Sequence, residues 1–367
     1  MRSLEDANVS GKRVLLRLDL DTPLYQGKVI DTFRIKSALP TIHFLLNRRA
    51  KVVICGHLGR PNGKVVKELS LKPVIQELSD LLNQRIIFAS DLFSESTKTA
   101  VEELSDGQIL ALENLRFDAA EEANSRTFAK KLAHYGEVFV NESFATCHRE
   151  ASSLIAITEF LPSFAGLLLE REVGVLTELL SRPARPFVVI MGGAKIADKL
   201  PTISSLANHA DKILIGGGIA NTFLAATGID VKKSLVQEDQ FGNAANIFKR
   251  YKDKIILPTD YIWHEDKILD IGAETVGRFE KEIRGAKTIF WNGPVGYSED
   301  EQFAIGSVKI AQVIADTDAT TIIGGGNTIE IIAKHDLIRE MSFVSTGGGA
   351  ALELLAGKQL PAVKVLD

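Results

Sequence analysis

The stretch RPFVVIMGGAKIADK, residues 185–199, decides how the chain is read. A short apolar, β-branched run ends in two glycines, and a helical pattern follows in which Lys195 and Lys199 lie four apart on one face. That order reads as a buried parallel strand turning into a helix. The bare N–H groups of such a turn, together with the positive end of the helix dipole, favour phosphate oxygens. Towards the C-terminus the pattern recurs at KILIGGG (212–218), TIFWNGPVG (288–296), TTIIGGG (320–326) and SFVSTGGG (342–349). Four glycine-rich strand ends in one half point to a nucleotide site. There is no GxxxxGK[ST] sequence and no GxGxxG after a strand, so neither a Walker-type loop nor a dinucleotide fingerprint is present.

Towards the N-terminus the strands end differently. Apolar runs at RVLLRLD (13–19), KVVICG (51–56), RIIFASD (85–91), QILALEN (108–114) and EVFVNE (137–142) alternate with helical patterns. Two of these are FRIKSALPTIHFLLNRR (33–49) and SLKPVIQELSDLLN (70–83), the second with Ser70 as expected N-cap and Pro73 in its first turn. Alternating βα units in both halves give an α/β fold of two doubly wound, Rossmann-like parallel-sheet lobes. The segment FLPSFAGLLLEREVGVLTELLSRPARP (160–186) reads as one long helix between Pro162 and Pro183, a stiff connector with a hinge. The expected lobes are residues 1–168, completed by the terminal peptide 354–367, and residues 169–353.

Ligands of open α/β sheets bind beyond the carboxyl ends of the strands. In the first half those positions are cationic: Arg34 after Asp31, His57 and Arg60 in HLGRP, Arg116 in ENLRF, and His148 and Arg149 in TCHRE. Arginines converging from separate turns suit an anion with several oxygens, because guanidinium forks match carboxylate and phosphate geometry. The 367-residue chain carries a net charge of −4, so any cationic site is local and a nucleic-acid or membrane-surface partner is not expected. Two cysteines, Cys55 and Cys147, offer neither a disulfide framework nor a zinc set and fit a reducing, cytoplasmic setting. An export signal and a membrane span are not expected from the sequence. An acid-binding lobe and a nucleotide lobe on a stiff connector suggest phosphoryl transfer between two ligands, with closure excluding water.

The stretches GKRVLLRLDLDTP, DTFRIKSALPTI, HLGRP, ENLRF, VNESFATCHR, RPFVVIMGGAKIADK, IGGGIANTFL, KTIFWNGPVG, TIIGGGNTIE and STGGGAALELLAGKQLP, in this order, resemble the signature stretches of the phosphoglycerate kinases. The resemblance implies reversible transfer between 1,3-bisphosphoglycerate plus ADP and 3-phosphoglycerate plus ATP, with Mg2+ accompanying the nucleotide, in a monomer. It implies that Asp19, Asp21, Arg34, His57, Arg60, Arg116 and Arg149 hold 3-phosphoglycerate, and that Lys195 and Arg34 steady the moving phosphoryl group. Lys199 would hold nucleotide phosphates. Gly193, Gly217, Asn292, Pro294 and Glu299 would line the nucleotide pocket with Gly325, Gly326, Asn327 and Thr328, Glu299 reaching the ribose.

The chain departs from the family pattern at several points. Asp21 stands where Asn is usual and Asn327 where an Asp reaches the magnesium. Ala151 and Ala351 replace a frequent His and Ser, Ala273 a common Pro, and the segment from Pro258 to Gly272 is short. Two other readings therefore stay open: a relative acting on another small phospho-acid, and a nucleotide-binding protein with weak turnover. An NAD-dependent dehydrogenase is disfavoured by the missing fingerprint.

Overall fold

The computed structural model describes residues 1–367. They form two compact units, Met1–Gly174 with Gln359–Asp367, and Val175–Lys358. The division falls inside one helix, Leu167–Ser181.

In the first unit the strands are β1 (Arg13–Arg17), β2 (Leu24–Tyr25), β3 (Lys28–Val29), β4 (Lys51–Cys55), β5 (Ile86–Ala89), β6 (Ile109–Leu112), β7 (Val138–Asn141) and β8 (Ser163–Ala165). Six of them build a parallel sheet in the order β5-β6-β4-β1-β7-β8, while β2 and β3 form a small antiparallel hairpin. The strands are apolar on both sides because helices cover both faces. Val14, Leu16, Val52 and Ile54 enter one buried cluster, and Leu15, Val53 and Cys55 the other. The chain leaves β1 towards β4 and later returns to β7 on its other side. The ends of β1, β4 and β7 therefore flank the switch point where open α/β sheets bind ligands.

The second unit repeats this plan with β9 (Phe187–Met191), β10 (Lys212–Ile215), β11 (Ile255–Ile256), β14 (Thr288–Asn292), β15 (Thr320–Gly324) and β16 (Phe343–Val344) in the order β11-β10-β9-β14-β15-β16. A separate antiparallel hairpin joins β12 (Tyr261–His264) to β13 (Lys267–Ile271). Its switch point lies between β9 and β14, where glycine allows two turns to touch. Gly193, at φ +97°, donates its N–H to Pro294 O at 2.8 Å, and a Cβ on Gly192 would stand 2.0 Å from that oxygen.

Four sequence expectations change in detail. The helix after the GGAK turn begins only at Leu200, so Lys195 and Lys199 precede it and do not share one of its faces. Only the later part of the expected connector is helical, since Ser163–Ala165 pairs with β7 as an edge strand. Its side chains are worth more there, because Ser163 and Ala165 become fully buried at the sheet edge. The helix expected over 33–49 breaks at Ala38 into Phe33–Ser37 and Leu39–Asn47. Pro40 cannot donate an N–H to the preceding turn. The helix Lys72–Leu82 has Leu71 at its N-cap, yet Ser70 Oγ still accepts from Lys72 N at 3.2 Å and donates to Glu113 Oε2 at 2.6 Å. The hydroxyl caps from one position further out.

Candidate functional site

In the first unit, the ends of β1 and β4 and the helix Phe33–Ser37 bring four of the expected side chains together. Arg34 Nη1 donates to Asp19 Oδ2 at 2.9 Å and to Asp21 O at 3.3 Å. Burial pushes Asp19 above the usual carboxylate range, against the pull of Arg34. Asp21 Oδ1 accepts from Gly59 N at 2.9 Å, and its Oδ2 lies 3.8 Å from His57 Nε2. Its carboxylate is thus engaged by its own unit. Arg116 donates to Gly59 O at 2.8 Å and pairs with Glu122 at 3.2 Å, which fixes the HLGRP turn against the loop after β6.

His57 is 3% exposed and held well below its ordinary pKa, first by burial and then by the guanidinium groups of Arg17, Arg116, Arg149 and Arg34. It is therefore a neutral imidazole inside a cationic set. Arg149 joins that set through its field on His57 and Arg116. Arg60 follows Gly59 with an exposed side chain. The sequence reading missed Arg17, which lies 3.1 Å from His57 Nδ1. The available signal was an arginine inside an otherwise apolar strand, since such a residue is rarely buried without partners.

In the second unit a cleft of about 440 Å3 opens at the switch point. Gly193, Gly217, Pro294, Glu299 and Asn327 line it, as do Tyr261 and His264 from the β12–β13 hairpin. The walls are mainly apolar, with Leu235, Ile268 and Val295 among them. Among its polar groups, Asn327 Nδ2 donates to Glu299 Oε1 at 3.2 Å. Gly217 starts the helix Gly217–Ala226 at φ +62°, and a Cβ there would come within 2.9 Å of Gly193 N. The cradle is consequently bare backbone, open to a ligand's oxygens.

Several expected residues stand behind this cleft rather than on its wall. Lys199 Nζ donates to Gly192 O at 2.6 Å and to Asn292 O at 3.1 Å, and burial lowers its pKa to about 8. Thr328 Oγ1 accepts from Gly293 N at 2.7 Å. Asn292 Nδ2 is buried without a hydrogen-bond partner, next to Gly324 and Gly325. Gly326 begins the helix Gly326–Lys334. Lys195 is exposed at the glycine turn. The sequence reading did not find Tyr261 and His264. Their hairpin turns on Glu265 and Asp266, both at positive φ, without the Asn-Gly or Asp-Gly pair that would announce such a turn.

The family model for phosphoglycerate kinase matches residues 4–358. The chain belongs to the phosphoglycerate kinase family. It is 40% identical over 387 residues to the phosphoglycerate kinase of Pelotomaculum thermopropionicum, covering 100% of this chain and 98% of that one. The relative from Borreliella afzelii is also 40% identical, with 100% and 99% covered. Among solved structures, phosphoglycerate kinase from Pyrococcus horikoshii superposes with a TM-score of 0.90 at 33% identity, covering 100% of this chain and 98% of that one. The enzyme from Coxiella burnetii gives 0.86 at 36% identity, covering 99% and 98%. Phosphoglycerate kinases are phosphotransferases with a carboxyl acceptor and nucleotide substrates. The two parallel sheets are the fold expected of such a family member. No helix is long and apolar enough to cross a membrane.

Proposed function

We propose that the chain catalyses reversible phosphoryl transfer between 1,3-bisphosphoglycerate plus ADP and 3-phosphoglycerate plus ATP, the first unit holding the acid and the second the nucleotide. The observation that carries this reading is the neutral His57 set among arginines at the end of β4, beside the Arg34–Asp19 pair. Such a set provides hydrogen-bond donors and positive charge for a carboxylate and a phosphate, and an acyl phosphate needs little acid–base help. Arg34, His57, Arg60, Arg116 and Arg149 would bind the acid's oxygens. Asp19 and Asp21 would position Arg34 and the Gly59 turn and accept from the substrate's hydroxyl.

The nucleotide's base and ribose would fill the cleft, with Glu299 as acceptor for the ribose. Its phosphates would run along Gly193 and Gly217 towards Gly325, Gly326 and Thr328, where Asn292 Nδ2 has no protein partner. Lys195 would steady the transferred group and Lys199 the neighbouring phosphates. Magnesium would arrive with the nucleotide as part of the substrate. Asn327 fits that role in a limited way, since its Nδ2 is spent on Glu299 and its Oδ1 remains to face a hard cation. No group of three or more His, Cys, Asp or Glu is placed to hold a metal, so phosphate oxygens and water would supply most of its shell. Buried free Cys55 and Cys147 fit a reducing cytosol, and a monomer is the expected state.

The test is an assay of 1,3-bisphosphoglycerate formation from 3-phosphoglycerate and MgATP, coupled to NADH oxidation. Turnover with 3-phosphoglycerate supports the reading. Turnover only with another phospho-acid, or nucleotide binding without turnover, would replace it.

A further inference from the structure

Arg17 closes β1 and is only 2% exposed, although it stands among the cationic residues of the first unit. Three bonds hold its guanidinium: Nε donates to Ser153 Oγ at 3.0 Å, Nη1 to Leu18 O at 2.5 Å, and Nη2 lies 3.1 Å from His57 Nδ1. Ser153 is itself fixed by Glu121, which accepts from Ser153 N at 3.0 Å and from its Oγ at 2.5 Å. Glu121, Ser153, Arg17 and His57 therefore form one buried chain of hydrogen bonds.

The direction of the last bond is not free. A guanidinium carries only donors, so Nδ1 must accept and the imidazole proton must sit on Nε2. We propose that Arg17 is a positioning residue that fixes His57 as its Nε2–H tautomer and so presents a neutral hydrogen-bond donor to the acid substrate. The proposal rests on the reading that His57 binds that substrate. Nε2 lies 3.8 Å from Asp21 Oδ2, beyond hydrogen-bond reach, so the N–H remains for a ligand.

The charged groups facing His57 agree with this arrangement. Arg17 comes from β1, Arg34 from the helix Phe33–Ser37, Arg116 from the turn after β6 and Arg149 from the loop after β7. All four disfavour a second proton on the ring, and Asp21 is the one carboxylate set against them at 3.8 Å. Arg17 itself cannot swing towards a ligand without giving up Ser153, Leu18 and His57 together. It thus shapes the site without touching the substrate, while Arg34, Arg116 and Arg149 supply the charge.

The primary test is 15N NMR of the His57 ring in the substrate-free full chain. The expected result is one Nε2–H tautomer with no titration across roughly pH 5 to 8. A ring protonated at Nδ1, or one that titrates in that window, overturns the proposal without any variant being made. Arg17→Met should then show mixed tautomers or a titrating ring, and Arg17→Lys, which keeps a donor, should restore the parent signature at least in part. The 3-phosphoglycerate KM should rise about tenfold in Arg17→Met, with kcat and nucleotide KM nearly unchanged. An unmoved acid KM in a variant whose tautomer has shifted overturns the positioning role. If His57→Ala also leaves acid affinity unaltered, the placement of substrate at His57 has failed instead, and the tautomer lock is only structural.

Discussion

Asn327 Nδ2 donates to Glu299 Oε1 at 3.2 Å, so the amide proposed to face the nucleotide's magnesium is tied to the residue proposed for the ribose. A carboxylate at 327 would face Glu299 as a like charge and would gain from any cation bound nearby. Asn327→Asp should therefore lower the magnesium concentration giving half-maximal rate. It should also lower stability in magnesium-free buffer by less than about 1 kcal/mol, because both groups are near solvent. A magnesium titration of initial rates decides this. An unchanged midpoint in an active enzyme means that the amide oxygen already suffices.

Arg34→Ala removes the partner of Asp19 along with a donor proposed for the acid. Affinity for 3-phosphoglycerate should fall more than about tenfold by calorimetry, since bonds to charged groups are the stronger ones. Nucleotide affinity should stay as it is. Equal loss for both ligands would indicate a folding defect rather than a lost contact.

Lys195 is exposed at the glycine turn, where a point charge can meet developing phosphoryl charge. Lys195→Ala should lower kcat about a hundredfold while changing nucleotide Kd only slightly. A near-normal kcat removes it from the transition state.

Burial brings Lys199 from its ordinary 10.5 to about 8, with Asp198 pulling weakly the other way. Nucleotide phosphates would favour the ammonium and raise that value, so binding at about pH 9 should take up a proton, whereas binding at about pH 7 should not. Calorimetry in buffers of differing ionisation enthalpy measures the uptake, and Lys199→Met should abolish it. In the free protein the unfolded chain holds this proton between about pH 8 and 10.5 when the folded one does not, so this group makes stability rise with pH across that window.

Glu142 accepts from Leu168 N at 3.1 Å and Leu169 N at 3.2 Å at the start of the helix Leu167–Ser181, and also from Thr41. Burial raises its pKa from 4.5 to about 7. The folded chain therefore binds this proton more tightly than the unfolded one, and stability should fall as pH rises between those values. Glu142→Gln should flatten that decline by up to about 1.4 kcal/mol per pH unit, read from urea unfolding at several pH values. An identical slope in both proteins would show that Glu142 does not titrate there.

The strands from RVLLRLD to SFVSTGGG and the glycine turns were legible because each is written in a local run of apolar residues closed by a local breaker. The expectation of one long helix between Pro162 and Pro183 failed at Ser163–Ala165 for the opposite reason. Whether three residues pair as an edge strand depends on β7, whose paired residues Phe139–Asn141 each lie 24 positions earlier in the chain. The hairpin carrying Tyr261 and His264 was likewise hidden, since Glu265 and Asp266 adopt positive φ without the residues that ordinarily mark it.

By itself the sequence determined the α/β class, the family and the contrast between cationic and glycine-rich strand ends, all of which rest on residue type and order. Only the tertiary structure decided what each polar group does. Arg17 and Arg34 are the same side chain on nearby elements, yet burial against Ser153 and His57 turns the first inward, while the second pairs with Asp19 at the end of β1. Lys195 and Lys199 share a helix face in the sequence pattern, but the helix begins only at Leu200, and desolvation beneath Gly192 gives the half-buried Lys199 a pKa of about 8 while Lys195 stays exposed. Burial and hydrogen-bond direction arise from residues distant in the chain, and no local pattern encodes them.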